Sequence, residues 1–199
     1  MTASILLSLL SFIATAQTTT ISDARPVIVA FGDSLTAGYG VDAGFRYPDQ
    51  LQKKLDAMGY AYHVINLGVT GDTTSQGRSR MTRVLATNPS IVIVEFGGND
   101  SASGMSAQVT RTNLEQMIMT FQKTHITVVL AGRSLPGREN VYSALSNQYH
   151  VPVVALLKGV EGNPALLIGD NAHPNAAGCA IVAENVLQAL KPLLTKSSQ

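Results

Sequence analysis

One cysteine, Cys179, is all that the 199 residues contain, so neither an intramolecular disulfide nor a cysteine-based zinc site can form. It falls in an apolar helical pattern, where a small buried hydrophobe is expected. Charge is also scarce. Asp, Glu, Lys and Arg make up 14% of the chain against 45% hydrophobic residues, and the 14 basic and 13 acidic side chains are interspersed to a net charge of +1. Without a basic run, nucleic acid and anionic membrane surfaces are not expected partners. Internal repeats, low-complexity tracts and a domain-splitting linker are missing too. The length suits one domain that buries its core without metals or disulfides.

The N-terminus carries no charge before Asp23, and residues 5–16 (ILLSLLSFIATA) are apolar and end in small side chains. A bilayer-spanning helix needs about 20 apolar residues, so this run is too short for one. It matches the core of a secretory signal, with Ala14-Thr15-Ala16 as an A-x-A cleavage site, although a positive n-region is missing. No cysteine follows it, so no lipid anchor is indicated. The expectation is a signal peptide at 1–16, a polar tether at 17–25 and one folded domain at 26–199, periplasmic or secreted. A ragged apolar start on a cytoplasmic protein is the alternative.

What is present is an alternation of strand and helix patterns. Residues 27–31 (VIVAF) form the continuous apolar run of a strand covered on both faces. Leu51, Leu55 and Met58 stand at helical spacing in 47–58, residues 60–67 read as a second strand, and a helix through Met81, Val84 and Leu85 follows a loop at 68–74. The most β-branched stretch, 90–96 (SIVIVEF), predicts a central strand. Leu114, Met117, Ile118 and Phe121 mark the next helix. Residues 126–131 and 151–156 are strands four and five, with a short helix around 141–149 between them. A final helix is expected over 175–190, started by Pro174, with Ala177, Ile181, Ala183 and Val186 available for packing. Five such alternations argue for an α/β fold, a three-layer α/β/α sandwich on a five-stranded parallel sheet, flavodoxin-like if the strand order is 2-1-3-4-5.

In such a sheet ligands gather outside the carboxyl ends of the strands, and the polar residues of this chain collect there. Gly32-Asp33-Ser34 follows the first strand, Gly68 and Gly71 the second, Gly97-Gly98-Asn99-Asp100 the third and Asp170-Asn171-Ala172-His173-Pro174 the fifth. Alone, Gly-Asp-Ser reads as an ordinary helix-capping turn. Serine is a weak nucleophile until an imidazole takes its proton and a carboxylate holds that imidazole in one tautomer. Asp170 and His173 stand three residues apart before a Pro-initiated helix, so one turn can bring carboxylate and ring together. Acyl transfer also needs fixed donors for a developing oxyanion, for which the Gly71 amide and the Asn99 side chain are suited. The order 2-1-3-4-5 would set Ser34 and Asn99 across one crevice.

Four blocks occur in series: FGDSLTAGYG at 31–40, NLGVTGDTT at 66–74, EFGGND at 95–100 and DNAHPN at 170–175. In these the sequence resembles the SGNH hydrolases of the GDSL esterase/lipase family, in particular the single-domain bacterial thioesterase I/arylesterase branch, over nearly everything after Pro26. The resemblance implies the SGNH hydrolase fold, with Ser34 as nucleophile, His173 as general base and later acid, and Asp170 as the orienting carboxylate. It implies an oxyanion hole made by the backbone amides of Ser34 and Gly71 and the side chain of Asn99, Gly71 rather than Gly68 aligning with the donor glycine. The implied activity is hydrolysis of a small-molecule or acyl-chain ester or thioester through an acyl-enzyme, arylesterase-, thioesterase- or lysophospholipase-like, without metal or cofactor. One departure stands out. Related enzymes carry a longer Leu-Pro-Pro-Asn-Tyr-like segment after the fourth strand, where this chain has only LPGREN at 135–140. With less apolar wall for a long tail, short to medium acyl chains are expected.

Two rival functions share parts of this pattern: a carbohydrate O-acetyl esterase using the same machinery, and a non-catalytic binding module that keeps the fold. Gly38-x-Gly40 after the first strand invites a dinucleotide-binding reading, but the third glycine falls at Gly44, one place late. No G-x-S-x-G occurs, so the nucleophile is not on an α/β-hydrolase elbow. Asp33 and Asp100 are expected to brace their loops, and His63, His125 and His150 to be structural.

Overall fold

Runs of Val and Ile too regular for a helix set the sheet, because β-branched side chains pack well on a pleated surface covered on both faces. The computed structural model describes residues 25–133 and 140–196. The leader at 1–16 and all but the last residue of the shortened 135–140 segment lie outside the described residues. Arg25, the first described residue, pairs with Asp56.

In chain order the elements are β1 (Val27–Gly32), α1 (Ser34–Ala37), α2 (Tyr47–Ala57), β2 (His63–Asn66), α3 (Thr74–Ser79), α4 (Met81–Leu85), β3 (Ile91–Glu95), α5 (Gly98–Ala102), α6 (Ala107–Lys123), β4 (Thr127–Gly132), α7 (Val141–Tyr149), β5 (Val153–Ala155) and α8 (Ala176–Leu190). All pairings are parallel, in the order β2-β1-β3-β4-β5. This is the expected three-layer α/β fold, and β1 and β3 are neighbours at the point where the strand order reverses.

Alternation along the strands divides the core in two. Ile28, Ala30, Ile91, Ile93, Val129 and Ala131 face α2 and α8, which contribute Leu51, Leu55, Val182 and Val186. Val29, Phe31, Val92, Val94, Val128 and Leu130 face α4, α6 and α7, which contribute Val84, Leu114, Ile118, Phe121 and Leu145. Phe31 meets Phe96 and Phe121 edge to face, with centroids 5.0 and 6.2 Å apart. Each fully buried side chain of this size contributes about 1.5–3 kcal/mol, so the strands that carry the site loops are held from both sides.

Several expectations differ in detail. The single helix through Met81 is two short ones, broken at Arg80, whose backbone leaves the helical range (φ −111°, ψ 15°). Its guanidinium is drawn inward onto the carbonyls of Gly32 and Leu67, at the ends of β1 and β2. Thr74, read as loop, opens α3 behind a capping box of Thr73 and Gln76. Strands two and five are shorter than their apolar runs because both are edges, with one neighbour each. In α8 the buried row is Cys179, Val182, Ala183, Val186, Leu187 and Leu190, while Ala177 is exposed. Met58 lies one residue past α2 and is also exposed.

Candidate active site

Three loops at the carboxyl ends of β1, β3 and β5 converge. Asp33 caps α1, its Oδ1 accepting the Leu35 N–H at 3.1 Å, which turns the chain sharply out of β1 and sets Ser34 as the first helical residue. Ser34 Oγ stands 2.8 Å from His173 Nε2, and His173 Nδ1 stands 2.6 Å from Asp170 Oδ2. The sequence separation of Ser34 and His173 is 139 residues.

The DNAHPN block explains its own spacing. Asp170 Oδ1 accepts the N–H groups of Ala172 and His173 at 2.9 and 3.0 Å, closing a tight turn, while Oδ2 is left for the imidazole. One carboxylate therefore shapes the loop and orients the ring. Asn175 ties this loop to the next helix, accepting from Ala177 and Gly178 at the start of α8 and donating to the Ala165 and Leu167 carbonyls. The backbone donors of His173 and then Ala172 pull the Asp170 carboxyl down to a pKa of about 2, so it is ionised at any ordinary pH and stands as a fixed acceptor beside Nδ1. The Tyr39 ring packs against the imidazole at a tilt of 53°, with centroids 5.0 Å apart.

On the far side, Gly97 (φ 121°) swings the chain from β3 into α5 and presents Asn99. Asn99 Nδ2 donates to the Asp72 carbonyl at 2.9 Å and to Asp33 Oδ2 at 3.2 Å, linking the loops after β1, β2 and β3. Gly71 (φ 87°) is the residue before Asp72, and among the described residues its N–H donates to no acceptor. Ser34, Asn99 and His173 line a cleft of about 370 Å³ whose other walls include Phe96, Ala102 and Arg133. Of the expected site residues, Ser34, Asp170, His173 and Asn99 are thus brought together; Gly71 does not line the cleft, and only the carbonyl of the next residue, Asp72, reaches Asn99. Gly68 instead packs its Cα face against the backbone of Thr36 and Ala37, and its N–H is taken up within its own loop by Asn66 Oδ1 at 2.9 Å. Asp100 is buried and accepts from Thr74 and Thr110, bracing its loop as expected. His63, His125 and His150 are exposed, and none lines the cleft.

The family model for the GDSL-like lipase/acylhydrolase family matches residues 30–181. The chain belongs to that family. Among similar proteins, esterase TesA of Pseudomonas aeruginosa is 34% identical over 182 residues, covering 86% of this chain and 90% of its own. Thioesterase 1/protease 1/lysophospholipase L1 of Escherichia coli is 29% identical over 88% of each. Among solved structures, a crystal structure of TesA superposes with a TM-score of 0.81 at 33% identity over 85% of this chain and all of that one. The SGNH-hydrolase family esterase AlinE4 superposes at 0.70 with 35% identity, over 86% of this chain and 97% of its own.

Two residues that organise this GDSL site escaped the sequence reading. Arg80, in the run QGRSRMTR, looks like any surface arginine, yet its guanidinium binds Asp72 Oδ2, the Leu67 carbonyl and the Gly32 carbonyl at 2.6, 2.6 and 2.8 Å and stacks on Phe31. Nothing local distinguishes it from Arg78 or Arg83. Glu95 did carry a signal. A carboxyl ending an otherwise apolar strand is costly to bury without partners, and it lines the cleft at 4% exposure.

Proposed function

We propose that the chain is a serine esterase that hydrolyses carboxylic esters or thioesters through an acyl-enzyme. The observation that carries this reading is the continuous hydrogen-bonded relay from Ser34 Oγ through His173 to Asp170, opening on a cleft. Ser34 Oγ attacks the acyl carbon as its proton passes to His173 Nε2, and the Asp170 carboxylate stabilises the imidazolium. The carbonyl oxygen, now an oxyanion, takes hydrogen bonds from the Ser34 and Gly71 amides and from Asn99 Nδ2, which gives up its longer bond to Asp33 Oδ2 to make it. Collapse expels the alcohol or thiol, which leaves with the proton from His173. A water then gives its proton to His173, attacks the acyl-serine and releases the acid with Ser34 restored.

Relatives named esterase, thioesterase and arylesterase support this reaction class. The modest cleft and the polar side chains in its walls, Asp33, Glu95 and Arg133, favour short to medium acyl chains. A hydrolysis profile across p-nitrophenyl esters tests this, and an optimum at about twelve carbons or more, where apolar burial dominates, would overturn it. For the reaction itself, a fluorophosphonate probe should label Ser34 and Ser34→Ala should abolish p-nitrophenyl acetate hydrolysis. Full activity in that variant would sink the proposal. The same reading takes residues 1–16 as an export signal removed before Gln17, which the intact mass of the exported protein checks.

A further inference from the structure

Two arginines stand near the reacting groups, and their guanidinium groups differ in what they touch. Arg80 places Nε, Nη1 and Nη2 on acceptors from Asp72, Leu67 and Gly32. Arg133, the first residue after β4, lines the cleft with Ser34, Asn99 and His173, and the mechanism above gives it no part. Among the described residues only its Nη2 is engaged, on Glu161 Oε1 at 2.8 Å. Its Nε is sealed from solvent and is, among the described residues, the one buried side-chain nitrogen or oxygen without a hydrogen-bond partner. A charged donor left unpaired in a cleft wall is costly, and an acceptor on a ligand removes that cost. Nε and Nη2 share one edge of the planar guanidinium, the edge that takes both oxygens of a carboxylate or phosphate. Glu161 occupies half of that edge through a single bond. The ion pair is weakly held, because its side chains are 30% and 50% exposed.

Arg133 also walls a second cavity, of about 310 Å³, at the ends of β4 and β5, which Lys158 and Glu161 line with it. Lys158 forms no ion pair among the described residues. Two cations and one carboxylate therefore border this space. Nearer Ser34 the cleft wall carries the carboxyls of Asp33 and Glu95, so a negatively charged substrate has one favourable end for its charge. We propose that Arg133 and Lys158 form a subsite for an anionic group on the substrate, a carboxylate or phosphate, and that the chain prefers esters or thioesters carrying such a group. The proposal rests on the hydrolase reading and adds the charge of the substrate to it. Arg133 pairs the anion through Nε and Nη2, Glu161 gives up Nη2 and turns to solvent, and Lys158 adds positive charge.

Matched esters test this with the charge on either side of the scissile bond. On the acid side, p-nitrophenyl hydrogen adipate is compared with p-nitrophenyl hexanoate, and on the alcohol side, para-acetoxyphenylacetate with its methyl ester. The readout is kcat/KM for the anionic ester divided by kcat/KM for the neutral one, so intrinsic reactivity cancels between wild type and variant. For the pair whose charge reaches the subsite, R133Q should lower this ratio about tenfold to a hundredfold, through loss of the charge-assisted hydrogen bonds. R133K keeps the charge without the fork and should recover part of the loss. E161Q should raise the ratio, because it removes the competing carboxylate. An Arg133 that merely anchored Glu161 would make R133Q and E161Q change the ratio alike, and that result overturns the subsite. So does a ratio unchanged by R133Q in both pairs while Ser34 is still labelled by fluorophosphonate. Where R133Q fails to fold, E161Q decides, and a ratio that rises in neither pair counts against the proposal. Failure of wild-type Ser34 to react with the probe would instead remove the hydrolase reading on which the subsite rests.

Discussion

Replacing Arg80 with Ala removes a side chain that touches no part of the proposed relay, yet the loss should be among the largest of any single polar substitution here. The Arg80 and Asp72 side chains are 13% and 10% exposed and lie 2.6 Å apart. The same guanidinium satisfies the carbonyls of Gly32 and Leu67, at the ends of β1 and β2. Truncation leaves the Asp72 carboxylate nearly buried and unpaired, and breaking a buried pair in this way costs about 3–5 kcal/mol. The two abandoned carbonyls are not added on top, because they share the same partner and the losses overlap. At this chain length such a loss lowers Tm by roughly 6–20 °C. Arg80→Lys should recover only part of it, since one ammonium cannot reach three acceptors spread over a planar fork. Urea unfolding followed by circular dichroism provides the measurement. A loss under about 1 kcal/mol for Arg80→Ala, within the range of ordinary surface changes, would refute the view that this arginine pins the loops after β1 and β2.

Three further outcomes follow from the site geometry. Asp170→Asn should lower kcat by about 10²–10⁴ with little change in KM, because the imidazole loses its tautomer control; a smaller effect in steady-state hydrolysis would show that the turn alone orients His173. The low pKa of Asp170 comes first from backbone donors, so in His173→Ala its carboxyl should still titrate below about 3.9, the unperturbed value, when followed by carbon NMR. Because that pKa is depressed in the folded state, the stability it contributes is present above the unfolded value and is lost only as pH falls toward about 2. Gly68→Ala should be more damaging than Gly71→Ala in both melting temperature and kcat. A Cβ at Gly68 would come within 2.7 Å of the α1 backbone that carries Ser34, whereas at Gly71 nothing lies within 4 Å and only the strain of a positive φ, about 1–2 kcal/mol, is added. The reverse order would contradict the packing role of Gly68.

Much of the fold was legible because its cues are local. The runs VIVAF and SIVIVEF, the α7 pattern at Val141–Tyr149 and the Pro174-Asn175 helix start each lie within a few residues, and the alternation of types leaves few topologies. The spacing of Asp170 and His173 was legible for the same reason, since one turn joins them. Arg80 was not, because its partners lie on two other strands and its neighbours Arg78 and Arg83 look the same in the sequence. The break between α3 and α4 was missed with it. The short α5 was also missed: five residues of Gly, Asn, Asp, Ser and Ala show no apolar period.

The sequence by itself determined the element types, the parallel sheet and the residue types available for chemistry, because strand and helix periodicity and turn-forming residues act over a few positions. Tertiary structure decided what those residues do. Only the packing of β1 between β2 and β3 brings Ser34 to a histidine 139 residues away, sets Asn99 against Asp33, and forces Glu95 and Asp33 into one poorly solvated space. Contacts across such separations depend on strand order and register, and no short stretch of the chain encodes either.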